Sequence, residues 1–258
     1  MPDAFYSFDG EGFISSDFTR GPWSAEAQHG SPPAALLMRA ITKVMRQDGV
    51  VARFVLDFLK TVPVAGRLRI RTEILQESRQ TQRVRAALWS GDREVAQATA
   101  LILRLKPLPV PAAAPNEEWP SPESVPSFVF NFFAIDVGYH RALDSRIVRG
   151  TWGQSPIDAW LKPTVQLVLG EVMSPIERVM AVVDAQNGVA PALDIARSTF
   201  INPDLTVYFA RPPQGAWVGL RASSAPHEHG VGLVQSELHD EAGVFGRALQ
   251  SLLLDKRA

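Results

Sequence analysis

The chain contains no cysteine in its 258 residues. That excludes disulfides, a thiolate nucleophile and cysteine-ligated zinc, and it is compatible with a reducing compartment. Neither sign of charge is in excess: 26 Lys and Arg stand against 27 Asp and Glu. A nucleic-acid binder ordinarily carries a basic surplus on one face, so nucleic acid is not an expected partner. No run of 18 uncharged apolar residues occurs, and no membrane span is expected. The first ten residues, MPDAFYSFDG, lack the basic start and apolar stretch of a secretory signal. The expectation is a cytoplasmic protein with no membrane partner.

Apolar residues make up 46 % of the chain, enough to fill a core. Prolines, by contrast, are concentrated. Pro107, Pro109, Pro111, Pro115, Pro120, Pro122 and Pro126 fall within one short stretch. Proline donates no backbone hydrogen bond and disfavours helix in the residue before it, so 107–127 reads as an extended linker laid over the surface. It divides an N-terminal unit, 1–106, from a C-terminal unit, 128–258, each of domain size.

The two units carry a common motif. Glu26-Ala-Gln-His-Gly30-Ser-Pro-Pro33-Ala34 recurs as Asp184-Ala-Gln-Asn-Gly188-Val-Ala-Pro191-Ala192, at a constant spacing of 158 residues (26 to 184, 33 to 191). Each copy reads as a helix start, and Asp184 in particular as a helix N-cap. Strand candidates follow the first copy at 51–60, 67–77, 80–90 and 94–106, and the second at 198–211, 216–225, 230–240 and 244–254. Leu68, Ile70, Thr72 and Ile74 alternate with Arg69, Arg71 and Glu73, the period of a strand with one wet face. Further strand candidates are 5–13, 128–137 and 145–152. Residues 140–166 and 171–183 fall outside the repeat; SPIERVMAVVDA, which begins within the latter, has helical spacing. An apolar helix and an amphipathic sheet bury each other when the sheet wraps the helix, and tandem units can join edge strands. The expected fold is α+β, a tandem hotdog.

These residues resemble the acyl-CoA thioesterase II group of double hotdog enzymes. The first unit does so through HGSPPAALL and the strands that follow, with the basic Lys60 after the first of them. The second does so through VVDAQNG, INPDLTVYFARPP and GRALQSLLL. The resemblance implies an acyl-CoA substrate, hydrolysis to the free acid and coenzyme A, and no cofactor. It also implies three catalytic positions. Asp184 matches the family's aspartate and Gln250 its glutamine, while Asn202 stands where the family has a hydroxyl residue.

The residue chemistry is compatible with that assignment. Without cysteine, a serine elbow or a metal, water is the expected nucleophile, and it needs a base and groups that orient it. Asp184 with Asn202 and Gln250 supplies both. Backbone N–H groups at Asn187 and Gly188 are the candidate donors to the thioester oxygen, Gly188 allowing close approach. No metal is expected: His227-Glu228-His229 lacks a third ligand nearby. Arg67, Arg69, Arg71, Arg83 and Arg85 read either as contacts for coenzyme A phosphates or as a solvated face.

Two other readings stay open. One is a hotdog that binds acyl groups without turnover, which Asn202 keeps alive. The other is a hydratase or dehydratase, which needs an acid–base pair such as aspartate with histidine. His29 lies on the other unit's helix, so that reading turns on whether the fold sets it against Asp184. A homo-oligomer formed through the sheets is also open. Aligning the units places Val51 opposite Asn202, Leu101 opposite Gln250 and Glu26 opposite Asp184, which implies one active centre, in the second unit.

Overall fold

The computed structural model describes residues 3–109, 111, 118–130 and 132–257. The first unit runs β1 (Ala4–Phe8), β2 (Phe13–Ser15), α1 (Ser31–Val44), β3 (Gly49–Phe58), β4 (Arg67–Glu77), β5 (Thr81–Ser90) and β6 (Arg93–Arg104). The second runs β7 (Leu143–Thr151), β8 (Gln154–Pro163), β9 (Gln166–Val168), α2 (Pro175–Val183), α3 (Gln186–Val189), β10 (Ser198–Ile201), β11 (Asp204–Phe209), β12 (Val218–Pro226), β13 (Val231–Asp240) and β14 (Gly243–Lys256).

All fourteen strands form one sheet, ordered β7-β8-β12-β13-β14-β11-β3-β6-β5-β4-β2-β1-β9, with β10 beside β14. The units join where β11 pairs antiparallel with β3, Thr206 opposite Val55, so neither strand is left as a bare edge. Period-two burial orients the sheet. Val234, Ser236 and Leu238 of β13 are buried, whereas Val231 and Leu233 face outward. α1 begins after Gly30 with Pro32 and Pro33 in its first turn, where the missing N–H groups break no helical bond. It then buries Ala34, Ala35, Leu36, Leu37, Met38 and Ile41. Each large side chain among these gives about 1.5–3 kcal/mol on leaving water. α1 and α2 pack against each other inside the curved sheet. This is a double hotdog, the expected fold.

The route to it differs from the sequence reading in several places. The motif copies are not equivalent. Gly30 caps the start of α1, but Asp184 follows the end of α2 as its C-cap, with helical backbone (φ −66°, ψ −17°). The central helix of the second unit is therefore 175–183, the segment outside the repeat, and 190–197 is not helical. α2 is opened by a capping box: Ser174 accepts from the Glu177 N–H and the Glu177 side chain accepts from the Ser174 N–H. The predicted strand 198–211 is broken at Asn202-Pro203 into β10 and β11. Within 128–137 the described residues carry only an isolated bridge, Phe128 with Ser145. β8, which lies in the unassigned 140–166, pairs with both β7 and β12.

Of the proline-rich stretch, Val110 and residues 112–117 lie outside the described residues. The part that follows rests on the outer face of the second unit. Trp119 packs edge-on against Trp160 and stacks on His239, with ring centroids 5.0 and 4.4 Å away.

Candidate active site

The N-terminus of α1 meets the C-terminus of α2, and the contact is Gly30 against Asp184. A Cβ at position 30 would collide with Asp184 Oδ2 and with the Phe58 ring, so only glycine lets the helices close to this distance. Asp184 is 1 % exposed. Its Oδ1 accepts from Asn202 Nδ2 at 2.7 Å and from Gln250 Nε2 at 2.8 Å. The three residues expected together are together.

Their surroundings differ from one another. Asn202 sits at the proline-broken corner between β10 and β11, and its Nδ2 also donates to the Asp204 carbonyl at 3.2 Å. Its Oδ1 faces the Asn187 amide at 3.4 Å. Gln250 is fully buried on β14 and does not line the cleft. It grips Asp184 from behind, donating also to the Asp184 carbonyl at 3.2 Å. Both amides thus spend their protons on Asp184 and the adjacent backbone.

Burial pushes the Asp184 carboxyl up to about 7. The bonds from Asn202 and Gln250 oppose that rise, the Asp204 charge adds to it, and the Gly30 N–H opposes it. Sequence reasoning did not place His29 here, yet its Nδ1 lies 3.5 Å from Asp184 Oδ2. The same Nδ1 accepts the Ser31 N–H at 3.1 Å, and the ring stacks on Tyr139 at 3.8 Å between centroids. Burial holds His29 down to about 3. Tyr139 is tied to the helix end by donating to the Ala181 carbonyl at 2.8 Å.

These groups open on a cleft of about 480 Å³. Its walls are aromatic: Trp23, Phe58, Phe130, Phe132, Phe133 and Phe200. Lys60 and Thr61 also line it. The second unit supplies Asp184, Asn187 and Asn202; the first supplies His29, Gly30, Phe58 and 60–62, so the cleft is built by both. The Phe58 N–H bonds to the Pro203 carbonyl at 2.8 Å and sews the two sides together. Gly188 also lines the cleft, but its N–H donates to the Ala185 carbonyl at 2.9 Å and is not free for a ligand. That corrects the expected role of its backbone. Among the described residues no group of three metal-ligating side chains occurs, and no helix is long and apolar enough to cross a membrane.

The sheet wrapped on two central helices, with a buried carboxylate between the units, defines a double hotdog protein. Comparison places it more closely. The model of the acyl-CoA thioesterase N-terminal domain matches residues 19–103, and that of the C-terminal domain matches 111–254. The chain belongs to the acyl-CoA thioesterase family. Comparison with curated proteins finds no match. Among solved structures, a protein of unknown function with a hot dog fold from Alicyclobacillus acidocaldarius is similar at 18 % identity and TM-score 0.75, covering 99 % of this chain and 98 % of its own. An acyl-CoA thioesterase II from Mycobacterium marinum is similar at 15 % identity and TM-score 0.66, with 89 % and 90 % covered. An inactive mutant of the CurJ dehydratase is similar at 10 % identity and TM-score 0.53, with 88 % and 82 % covered. At these identities the likeness is one of fold.

Proposed function

We propose that this protein hydrolyses acyl-CoA thioesters, with Asp184 as the base that activates water. The observation that carries the reading is the division of labour on the carboxylate. Asn202 and Gln250 both hold Oδ1, which leaves Oδ2 as the oxygen that takes a proton. A carboxyl near 7 is matched to proton transfer at neutral pH, because a base works best when its pKa lies near the working pH. Water attacks the carbonyl carbon and gives its proton to Asp184. The tetrahedral intermediate then collapses, and the departing sulfur leaves as the thiol with that proton. Acyl-CoA and water become free acid and coenzyme A, with nothing left over.

Asn202 replaces the hydroxyl residue without emptying its position, since its amide donates to the carboxylate at 2.7 Å. The aromatic walls fit an acyl chain. The test is thiol release from a panel of acyl-CoAs of different chain length. Release above background that is lost in folded Asp184→Asn supports the reading; no release by the parent across the panel overturns it.

A second reading has one observation in its favour, the 3.5 Å approach of His29 to Asp184. A hydratase or dehydratase would use such a pair. Against it, Nδ1 already accepts the Ser31 N–H, and burial makes His29 a poor base. Water addition to an enoyl-CoA, followed by loss of the conjugated absorbance, separates the two.

A further inference from the structure

We propose that His29 donates its Nε2–H to the thioester carbonyl oxygen as negative charge develops there, making it a catalytic residue of the hydrolysis. The inference rests on the hydrolytic reading and names the group that reading leaves unassigned. Attack on a thioester builds charge on the carbonyl oxygen, and a preorganised donor is worth most in a dry site. Close to Asp184, several candidate donors are already spent. The Gly188 N–H is spent on Ala185. At the start of α1, Pro32 and Pro33 have no N–H, the Ser31 N–H is spent on His29, and the Gly30 N–H faces the Asp184 carboxyl, whose pKa it lowers. Both protons of the Asn202 amide are engaged.

His29 is arranged for the task. The Ser31 N–H occupies Nδ1, so in the neutral ring the proton resides on Nε2. Among the described residues Nε2 makes no hydrogen bond, and the residue lines the cleft beside Asp184. Stacking on Tyr139, itself anchored on α2, holds the ring plane. Base and donor then stand on opposite units, at the seam where Gly30 lets the helices touch. Burial keeps the ring neutral across the physiological range, so it donates without competing with Asp184 for the proton. Asn187, whose amide makes only 3.4 Å contacts, is a weaker second donor.

Two variants of the full chain test this, with thiol release measured as kcat and KM from pH 5 to 9. His29→Phe keeps a ring on Tyr139 and removes the donor. His29→Gln keeps an N–H close to the place of Nε2. The expected result is a loss in kcat of about a hundredfold for His29→Phe, with His29→Gln within about tenfold of the parent. The acid limb of the profile should stay where it is in His29→Gln. Equal activity of both variants and parent overturns the proposal. So does equal inactivity of both variants in folded protein, which is the outcome for a proton-accepting histidine. Asp184→Asn run alongside keeps the questions apart: if it retains turnover the hydrolytic reading fails, whatever the His29 variants do.

Discussion

The two ends of the α1–α2 pair are built alike and furnished differently. At one end Gly30 touches a buried Asp184, beside Asn202 and in front of Gln250. At the other end Arg39 of α1 forms a two-pronged ion pair with Glu171, just ahead of α2, and Lys43 stands 4.0 Å from the same carboxylate. The hairpins of the two units superpose in register at a spacing of 150 residues (88 to 238, 96 to 246), each with its irregularity at the same step. That spacing sets Ala100 opposite Gln250. β3 and β11 keep a spacing of 151 (55 to 206), which sets Val51 opposite Asn202. Counted from the Ser-Pro that opens each helix, Ile41 stands where Asp184 does. Ile41, Val51 and Ala100 are all buried and apolar. Both copies maintain the fold, while the hydrogen-bonding set stands at one end alone. The first unit still serves that end, through His29, Gly30 and Phe58.

The largest effect should come from the aspartate and none from its counterpart. Asp184→Asn should lower acyl-CoA hydrolysis at least about a hundredfold, the low end of what a placed base contributes. Ile41→Val should cost about 0.5–1.5 kcal/mol of stability and leave kcat unchanged. Comparable losses of activity in both variants, with both folded, would erase the distinction between the ends. Gly30→Ala comes next, because its methyl group must displace Asp184 Oδ2 or the Phe58 ring. It should cost more than about tenfold in kcat/KM, since a displaced base is out of line with the carbonyl.

Copying the blank end into the furnished one is a subtler change. Asn202→Val and Gln250→Ala each put the counterpart residue in place and remove one of the two bonds to Oδ1. Each should lower kcat by about ten- to a hundredfold through loss of carboxylate orientation. Because those bonds oppose the rise in the Asp184 pKa, each variant should also move the acid limb of the rate profile upward. A limb that stays in place while kcat falls would mean that the amides act elsewhere. In the parent that limb should sit near pH 7, activity rising as the carboxyl ionises. The stability effect has the opposite sense. The folded chain favours protonated Asp184, so this contribution is full below 3.8 and lost as pH rises through about 7. Asp184→Asn removes that loss, and its melting temperature should gain on the parent's as pH rises from 3.8 to about 7.

Much of this was legible beforehand, for local reasons. Alternation such as Leu68-Ile70 against Arg69-Arg71 records which face is wet, so most strands could be read directly. The trio was readable because each member sits in its own short motif. The helix of the second unit was misassigned because two short stretches matched by chance. The capping signal Ser174-Pro175-x-Glu177, which begins nine residues before Val183 ends the run (174 to 183), was the truer sign of where it starts. Gln250 was set opposite Leu101 rather than Ala100 because the turns were matched on Val95 and Val244, whereas the paired strands set Val244 opposite Glu94. His29 could not be placed at all: its approach to Asp184 is a contact between units, created by two helix ends that only packing brings together.

The smallest effect tests the discarded repeat itself. The shared motif pairs Glu26 with Asp184, and a true equivalence would give Glu26 a buried carboxylate and partners like those of Asp184. In the fold it has neither. Glu26 is exposed, and its recorded bonds are through the backbone: its N–H donates to Ser24 Oγ at 3.2 Å and its carbonyl accepts the Val64 N–H at 2.9 Å. Glu26→Gln leaves both bonds intact and changes only a solvated charge. Such a surface change ordinarily shifts stability by no more than about 0.5 kcal/mol. Because Glu26 is not among the residues lining the cleft, kcat should stay within about twofold of the parent, near the noise of the measurement. Steady-state thiol release and a melting curve, both on Glu26→Gln beside Asp184→Asn, decide the matter. A loss at Glu26 rivalling that at Asp184 in folded protein would restore the motif pairing and put the base in the first unit.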